Sequence, residues 1–239
     1  MTMDEGIHEG IRLAKRVAEI VPCSRAEAER YIAGGWVSVD GVEVEDPATR
    51  VTPAQRIELL PGATADDPAP ITILLHKPAG IDTRAAMESL DADTLAQSGQ
   101  GGQRVLKRHF AKLTLATPLE TMASGLVVFS QDWRVLRKLV EDSKRIEQEY
   151  VAEVTGAILE DGLERLNAGG RPDAPLKASW QSEARLRFAG KAIMPGQIER
   201  LCATVGLSVT ALRRLRVGRI ALSSLPVGRW RYLNDYERF

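Results

Sequence analysis

Ten residues, Pro61-Gly-Ala-Thr-Ala-Asp-Asp-Pro-Ala-Pro70, constrain this chain most, because they suit neither a helix nor a strand. Proline fixes φ and removes a backbone donor, and no apolar residue recurs there at either regular period. The stretch reads as a linker and divides the chain into residues 1–62, a connector at 63–70, and residues 71–239. The fold must therefore be built as a small module followed by a larger one.

In the small module Ile11, Val17, Ala18 and Val21 fall on one helical face. Ser24 followed by Glu27 forms a capping box that opens a second helix over Arg25–Ala33, and Gly34-Gly35 closes it. Trp36-Val-Ser-Val-Asp-Gly-Val-Glu-Val then alternates around an Asp40-Gly41 turn. In the larger part, strands are expected at Ile71–His76, Leu126–Ser130, Tyr150–Val154, Val209–Leu215, Val217–Leu222 and Trp230–Leu233. Helices are expected at Trp133–Asp142 and near Gln197–Val205, and Gln97–Gln103 reads as a mobile loop. Strands outnumber helices without strict βαβ alternation, so the predicted class is α+β with a mainly antiparallel mixed sheet.

Bulk charge does not identify a partner, since Lys+Arg and Asp+Glu both number 32 in 239 residues. The distribution is uneven: residues 1–62 carry 7 basic and 11 acidic groups, while residues 197–239 carry 8 arginines against 3 acids. Any nucleic-acid contact must therefore come from patches. Cys23 and Cys202 stand alone, which argues against a disulfide scaffold or a zinc knuckle, and His8, His76 and His109 lack metal-ligand spacing. The acidic start and the absence of a long apolar run predict no signal peptide and no membrane span, hence a cytoplasmic chain.

Ile11-Arg-Leu-Ala-Lys-Arg…Cys23-Ser-Arg-Ala-Glu-Ala-Glu-Arg-Tyr-Ile-Ala-Gly-Gly-Trp-Val-Ser-Val-Asp-Gly resembles the S-four-type RNA-binding domain, over about residues 10–60. The resemblance implies that Arg12, Lys15, Arg16, Ser24, Arg25 and Arg30 line a groove against RNA. Arg12, Lys15 and Arg16 share one helix face, and Arg25 lies in a first turn, where backbone N–H groups favour phosphate.

Four stretches of the larger part resemble the bacterial small-subunit-type rRNA pseudouridine synthases. They are His76-Lys-Pro-Ala-Gly80, Pro118-Leu-Glu-Thr-Met-Ala-Ser-Gly-Leu-Val-Val-Phe129, Glu147-Gln-Glu-Tyr-Val151, and the block from Gln197-Ile-Glu-Arg-Leu through Arg214-Leu-Arg-Val-Gly to Gly228-Arg-Trp-Arg-Tyr-Leu233. The family writes its signature Gly-Arg-Leu-Asp-x-Asp-Thr-x-Gly-Leu-Leu. Leu119, Gly125 and Leu126 match it, whereas Glu120 stands at the aspartate nucleophile, Pro118 at the arginine and Met122 at the second aspartate. Gln148 replaces a lysine.

The resemblance implies a flipped uridine packed on Tyr150, with Glu120 at the nucleophile position and Glu199 where the family has the arginine that pairs with it. A register slip of one would make Arg200 the partner instead. Lys77, Arg214 and Arg216 are expected to contact RNA. Three functions follow as expectations: an RNA-binding family member with an impaired centre, an active synthase using Glu120, or a ribosome-assembly or regulatory RNA binder. The resemblance implies that each acts on structured RNA, ribosomal RNA in the family's manner, as a monomer without metal or cofactor.

Overall fold

The capping box of Ser24 sets the geometry of the first unit: its Oγ accepts from Glu27 N at 3.2 Å, and Glu27 Oε2 accepts from Ser24 N at 2.7 Å. Those bonds, the one from the Ser24 backbone foremost, hold the Glu27 carboxyl below the usual carboxylate range. The computed structural model describes residues 10–67, 69–96, 104–170 and 173–239. By contacts, the described parts of Met1–Ala69 and Gly102–Ala111 form one unit, and those of Pro70–Gly101 and Lys112–Phe239 form the other.

In the first unit helix Leu13–Ile20 buries Leu13, Ala14 and Val17 against Ala28 and Ile32 of helix Arg25–Ala33. Strand Val37–Val39 pairs with Val42–Glu43 on one side and Ile57–Leu59 on the other. The turn between the first two has Asp40 at φ 52° and Gly41 at φ 82°, the paired positive values that a two-residue hairpin requires. Asp40 is held there by hydrogen bonds from Arg56 N and the Gln55 side chain, which lower its pKa.

Among the described residues, the second unit is built on a nine-stranded sheet. Its main order is Leu176–Ser182, Arg185–Lys191, Glu147–Gly156, Leu207–Val217, Ser124–Ser130, Thr72–Lys77 and Trp230–Tyr232. Leu207–Val217 runs parallel to Ser124–Ser130, and the other pairings along this order are antiparallel. The α+β class and mainly antiparallel sheet are as expected.

Several elements differ from the sequence reading. The two strands expected at Val209–Leu215 and Val217–Leu222 are one eleven-residue strand plus a short return at Ile220–Ala221, with register shifts at Val209/Ala211 and Arg214/Arg216. The hairpin Leu176–Ser182/Arg185–Lys191 and the helix Thr83–Glu88 were not anticipated. The expected helix Trp133–Asp142 is α-helical only over Trp133–Leu136 and continues as a π-helix over Arg137–Glu141. The Gln97–Gln103 loop lies outside the described residues. Among the described residues, no helix is long and apolar enough to cross a membrane.

Gly125 shows why the signature needs a glycine. It sits at φ +119°, opposite Arg214 in the parallel pair, and a Cβ there would lie 2.2 Å from Arg214 O. Only a residue without a side chain lets these strands approach so closely.

Candidate active site

Two buried cations fix the loop that carries Glu120. Arg214 is 1% exposed, and its guanidinium donates to Leu126 O (2.7 Å), Pro118 O (2.9 Å), Thr117 O (2.7 Å) and Thr117 Oγ1 (3.2 Å). Nη1 also reaches Gln148 Oε1 at 3.3 Å and Tyr150 Oη at 3.4 Å. Lys77 is 0% exposed, and its Nζ donates to Pro78 O, Ile81 O and Thr121 O at 2.8, 2.6 and 3.1 Å. Burial, followed by repulsion from Arg214, brings the Lys77 ammonium down to about 8. All of these acceptors are neutral, so both charges stay uncompensated by a direct carboxylate contact.

Above this base lies a cleft of about 430 Å³, lined by Glu120, Gln148, Tyr150, Met194 and Arg214 among others. Tyr150 comes from strand Glu147–Gly156, in register with Arg214, and its Oη donates to Gln148 Oε1 at 2.8 Å. The Arg214 guanidinium lies 6.0 Å from the ring centroid. Tyr150 is 5% exposed, so its ring forms a wall of the cleft.

Glu120 Oε1 accepts a hydrogen bond of 2.8 Å from Gly196 N, at the entry to helix Gln197–Thr204. Glu199 lies in the first turn of that helix. Its Oε2 is buried without a hydrogen-bond partner. Its carboxyl is pushed above the usual carboxylate range, by burial first and then by hydrogen bonding and repulsion from Glu120. Arg200 is exposed, and its Nη2 donates to Pro195 O at 3.3 Å rather than to Glu120. Among the described residues Glu120 makes no ion pair. Two carboxyls interact here, and burial together with that interaction makes Glu199 resist ionisation. Among the described residues, no group of three or more His, Cys, Asp or Glu side chains could hold a metal ion.

Several residues expected to touch RNA have other work. Lys77 and Arg214 are inside the protein, because backbone carbonyls of the Glu120 loop and the adjoining strand supply their acceptors. Arg216 bridges Glu149, at 3.1 Å, and Glu147. Arg187 binds the same Glu149 at 2.6 Å, and these bonds keep the Glu149 carboxyl low. The Ser24 hydroxyl is occupied by its cap. In the first unit Arg16 pairs with Glu19 (3.3 Å), Arg25 with Glu29 (3.1 Å) and Arg30 with Asp67 (3.5 Å). Arg12 and Lys15 are exposed. The sequence reading missed Gly196, whose N–H binds Glu120. Its only sequence signal was a Pro195-Gly196 pair before a helix.

Comparison with known proteins adds the family context. The S4 domain family matches residues 11–57. The dual-specificity RNA pseudouridine synthase RluF of Escherichia coli strain K12 is 27% identical over 235 residues, covering 95% of this chain and 77% of that protein. The ribosomal large subunit pseudouridine synthase B of Bacillus subtilis is 27% identical over 240 residues, covering 95% and 93%. A crystal structure of a pseudouridylate synthase superposes with a TM-score of 0.57 at 19% identity, covering 94% of this chain and 96% of that one, and so shares its fold. The chain thus carries an S4 domain and, along 95% of its length, is similar to bacterial RNA pseudouridine synthases at 27% identity.

Proposed function

We propose that this chain binds structured ribosomal RNA through its S4 domain and that its synthase-like unit does not isomerise uridine. The observation that carries the second half is the meeting of Glu120 and Glu199, with Glu120 held by a backbone N–H and not by a guanidinium. An attacking carboxylate must be ionised and aimed. Among the described residues no cation aims Glu120, the group beside it is a second carboxyl, and the extra methylene of glutamate displaces the attacking oxygen by about 1 Å, a misplacement worth about 10²-fold in rate. RNA binding is supported by the S4 match and by relatives named for RNA modification. On this reading the chain is a cytoplasmic monomer that needs neither metal nor cofactor. Residues 1–62, with 104–111 grouped with them by contacts, form its RNA-binding unit, 63–70 a linker, and the rest of 71–239 the synthase-like domain.

The test is tritium release from rRNA labelled at uridine C5, since C5 loses its hydrogen when it forms the new glycosidic bond. No release is expected. Release by the unmodified protein that disappears in Glu120→Ala would overturn the proposal. The binding half is tested by reversing charge at Arg12, Lys15 and Arg25 together, which should weaken affinity for structured rRNA fragments and flatten its salt dependence. Unchanged affinity at every salt concentration would sink that assignment.

A second reading, an active synthase using Glu120, is favoured by one feature. The carboxylate sits at the N-terminal end of a helix, where backbone N–H groups and the helix dipole supply partial positive charge. The tritium assay decides between the two. A ribosome-assembly or regulatory role would appear as RNA crosslinks without turnover.

A further inference from the structure

The S4-bearing unit holds a second cavity, of about 290 Å³, lined by Arg30, Trp36, Asp66, Asp67, Arg104 and Arg108 among others. Arg30 comes from the last turn of helix Arg25–Ala33, and Arg104 and Arg108 come from the separate stretch 104–111. The Arg104 guanidinium lies over Trp36, 5.0 Å from the ring centroid, and one of its nitrogens is held by Glu43. The indole is itself wedged against the helix end, since a Cβ on Gly34 would come within 2.7 Å of Trp36 Cδ1. Arg104 is thus aimed by a ring and a carboxylate before any ligand arrives.

The opposite lip is acidic. Arg30 Nη1 meets Asp67 Oδ1 at 3.5 Å, and the Asp67 side chain is 88% exposed. Asp66 and Asp67 sit on backbone that belongs to no helix or strand. A pair this long and exposed is weaker than a bidentate guanidinium–phosphate contact.

We propose that this cavity takes a phosphate group of the RNA backbone, and that Asp66 and Asp67 fill the phosphate's place when no RNA is bound. Guanidinium forks match the paired oxygens of a phosphate, and three arginines converging from two separate stretches suit one tetrahedral anion better than a single planar carboxylate. This rests on the reading of the chain as an RNA binder. The same chemistry would hold free phosphate, so the experiment separates the two sources.

The full chain is titrated with a structured rRNA hairpin fragment and, separately, with inorganic phosphate, following the arginine Nε–H resonances and the RNA affinity across salt. Both titrants are expected to shift Arg30 and Arg104. Arg30→Gln and Arg104→Gln should each weaken RNA binding roughly three- to tenfold and lower the salt slope by about one. Asp66→Asn with Asp67→Asn should tighten it roughly two- to fivefold by removing the internal competitor. Thermal unfolding checks that each variant is folded. Should Arg104→Gln fail to fold, Arg104→Lys, which keeps the charge but loses the fork, should still weaken binding.

If RNA binds but these variants keep wild-type affinity and slope, the cavity proposal falls and the RNA reading stands. If phosphate shifts both arginines while no RNA binds, the cavity is an anion site for a free phosphate and the RNA reading falls. If neither titrant has an effect, both are wrong.

Discussion

Glu120 Oε1 takes a 2.8 Å hydrogen bond from the backbone N–H of Gly196, and the helix that Gly196 opens brings Glu199 to the same carboxylate. One short helix therefore supplies both the group that holds Glu120 and the group that opposes it. Beneath them Lys77 and Arg214 hold the Glu120 loop through its carbonyls. Their charge is spent on the position of the loop and makes no ion pair with Glu120.

Glu199→Gln should stabilise the protein at neutral pH. The folded state raises the Glu199 pKa, so above the unfolded value near 4.5 it binds more protons than the unfolded chain does. Stability is then lost as pH rises from about 4.5 through the raised folded value, and the glutamine variant escapes that loss. Thermal midpoints of the two proteins should converge near pH 4 and separate towards pH 7, with the variant higher. A difference that stays constant across this range would show that folding does not raise the Glu199 pKa.

Gly125→Ala should be severely destabilising, by about 4 kcal/mol or more. The added methyl would meet Arg214 O at 2.2 Å, and φ +119° suits no L side chain. The Arg214 O, N and C atoms it would meet are all backbone, so no rotamer change relieves the clash. Urea unfolding measures the loss, and a variant within 1 kcal/mol of wild type would mean that the parallel pair is looser than it stands.

What could be read from sequence was local. Helix Arg25–Ala33 and the Asp40-Gly41 turn follow from groups within four residues of each other: a cap, a glycine stop, and a turn pair that tolerates positive φ. The small module and the α+β class follow from the same kind of signal. The fate of Lys77, Arg214 and Arg216 could not be read, because a cation in a strand is by default at the surface. Carbonyls up to 97 residues away bury Arg214, and Glu147 and Glu149 neutralise Arg216 from the neighbouring strand. In the hairpin at 176–191 the irregularity lies in the first strand, which loses its alternation at a 36% exposed Trp180 and a register shift between Trp180 and Ser182, while Arg185–Lys191 alternates with Leu186 and Phe188 inward. At the site, motif spacing led to Glu120, Tyr150 and Glu199, but the role of the Gly196 N–H exists only once the helix is docked.

His109 should make the fold acid-sensitive well before the carboxylates titrate. It is 4% exposed, and burial, then repulsion from Arg108, lowers its pKa from 6.5 to about 4. Its Nδ1 also accepts from Leu106 N at 3.3 Å, which requires the neutral ring. As pH falls below 6.5 the unfolded chain takes up a proton that the folded chain refuses until about 4, so stability drops across that window, by at most about 3 kcal/mol. His109→Asn keeps an acceptor near Nδ1 without titrating. The wild-type midpoint should fall relative to this variant between pH 6.5 and 4.5, and parallel curves would show that His109 is protonated freely.

Restoring chemistry should require both carboxyl positions to change. Glu120→Asp alone shortens the side chain to the length the reaction uses, but it gives up the reach to Gly196 N and leaves Glu199 beside the new carboxylate. It should release no tritium from C5-labelled rRNA. Adding Glu199→Arg replaces the neighbouring carboxyl with a guanidinium in the first turn of the same helix. Slow but measurable release is expected from the double variant, below that of a related active synthase, because Pro118 and Met122 still depart from the signature. Turnover by Glu120→Asp alone would show that side-chain length, and not the Glu199 charge, is what silences the site. No turnover from the double variant, with folding and RNA binding intact, would place the defect in the loop from Pro118 to Met122.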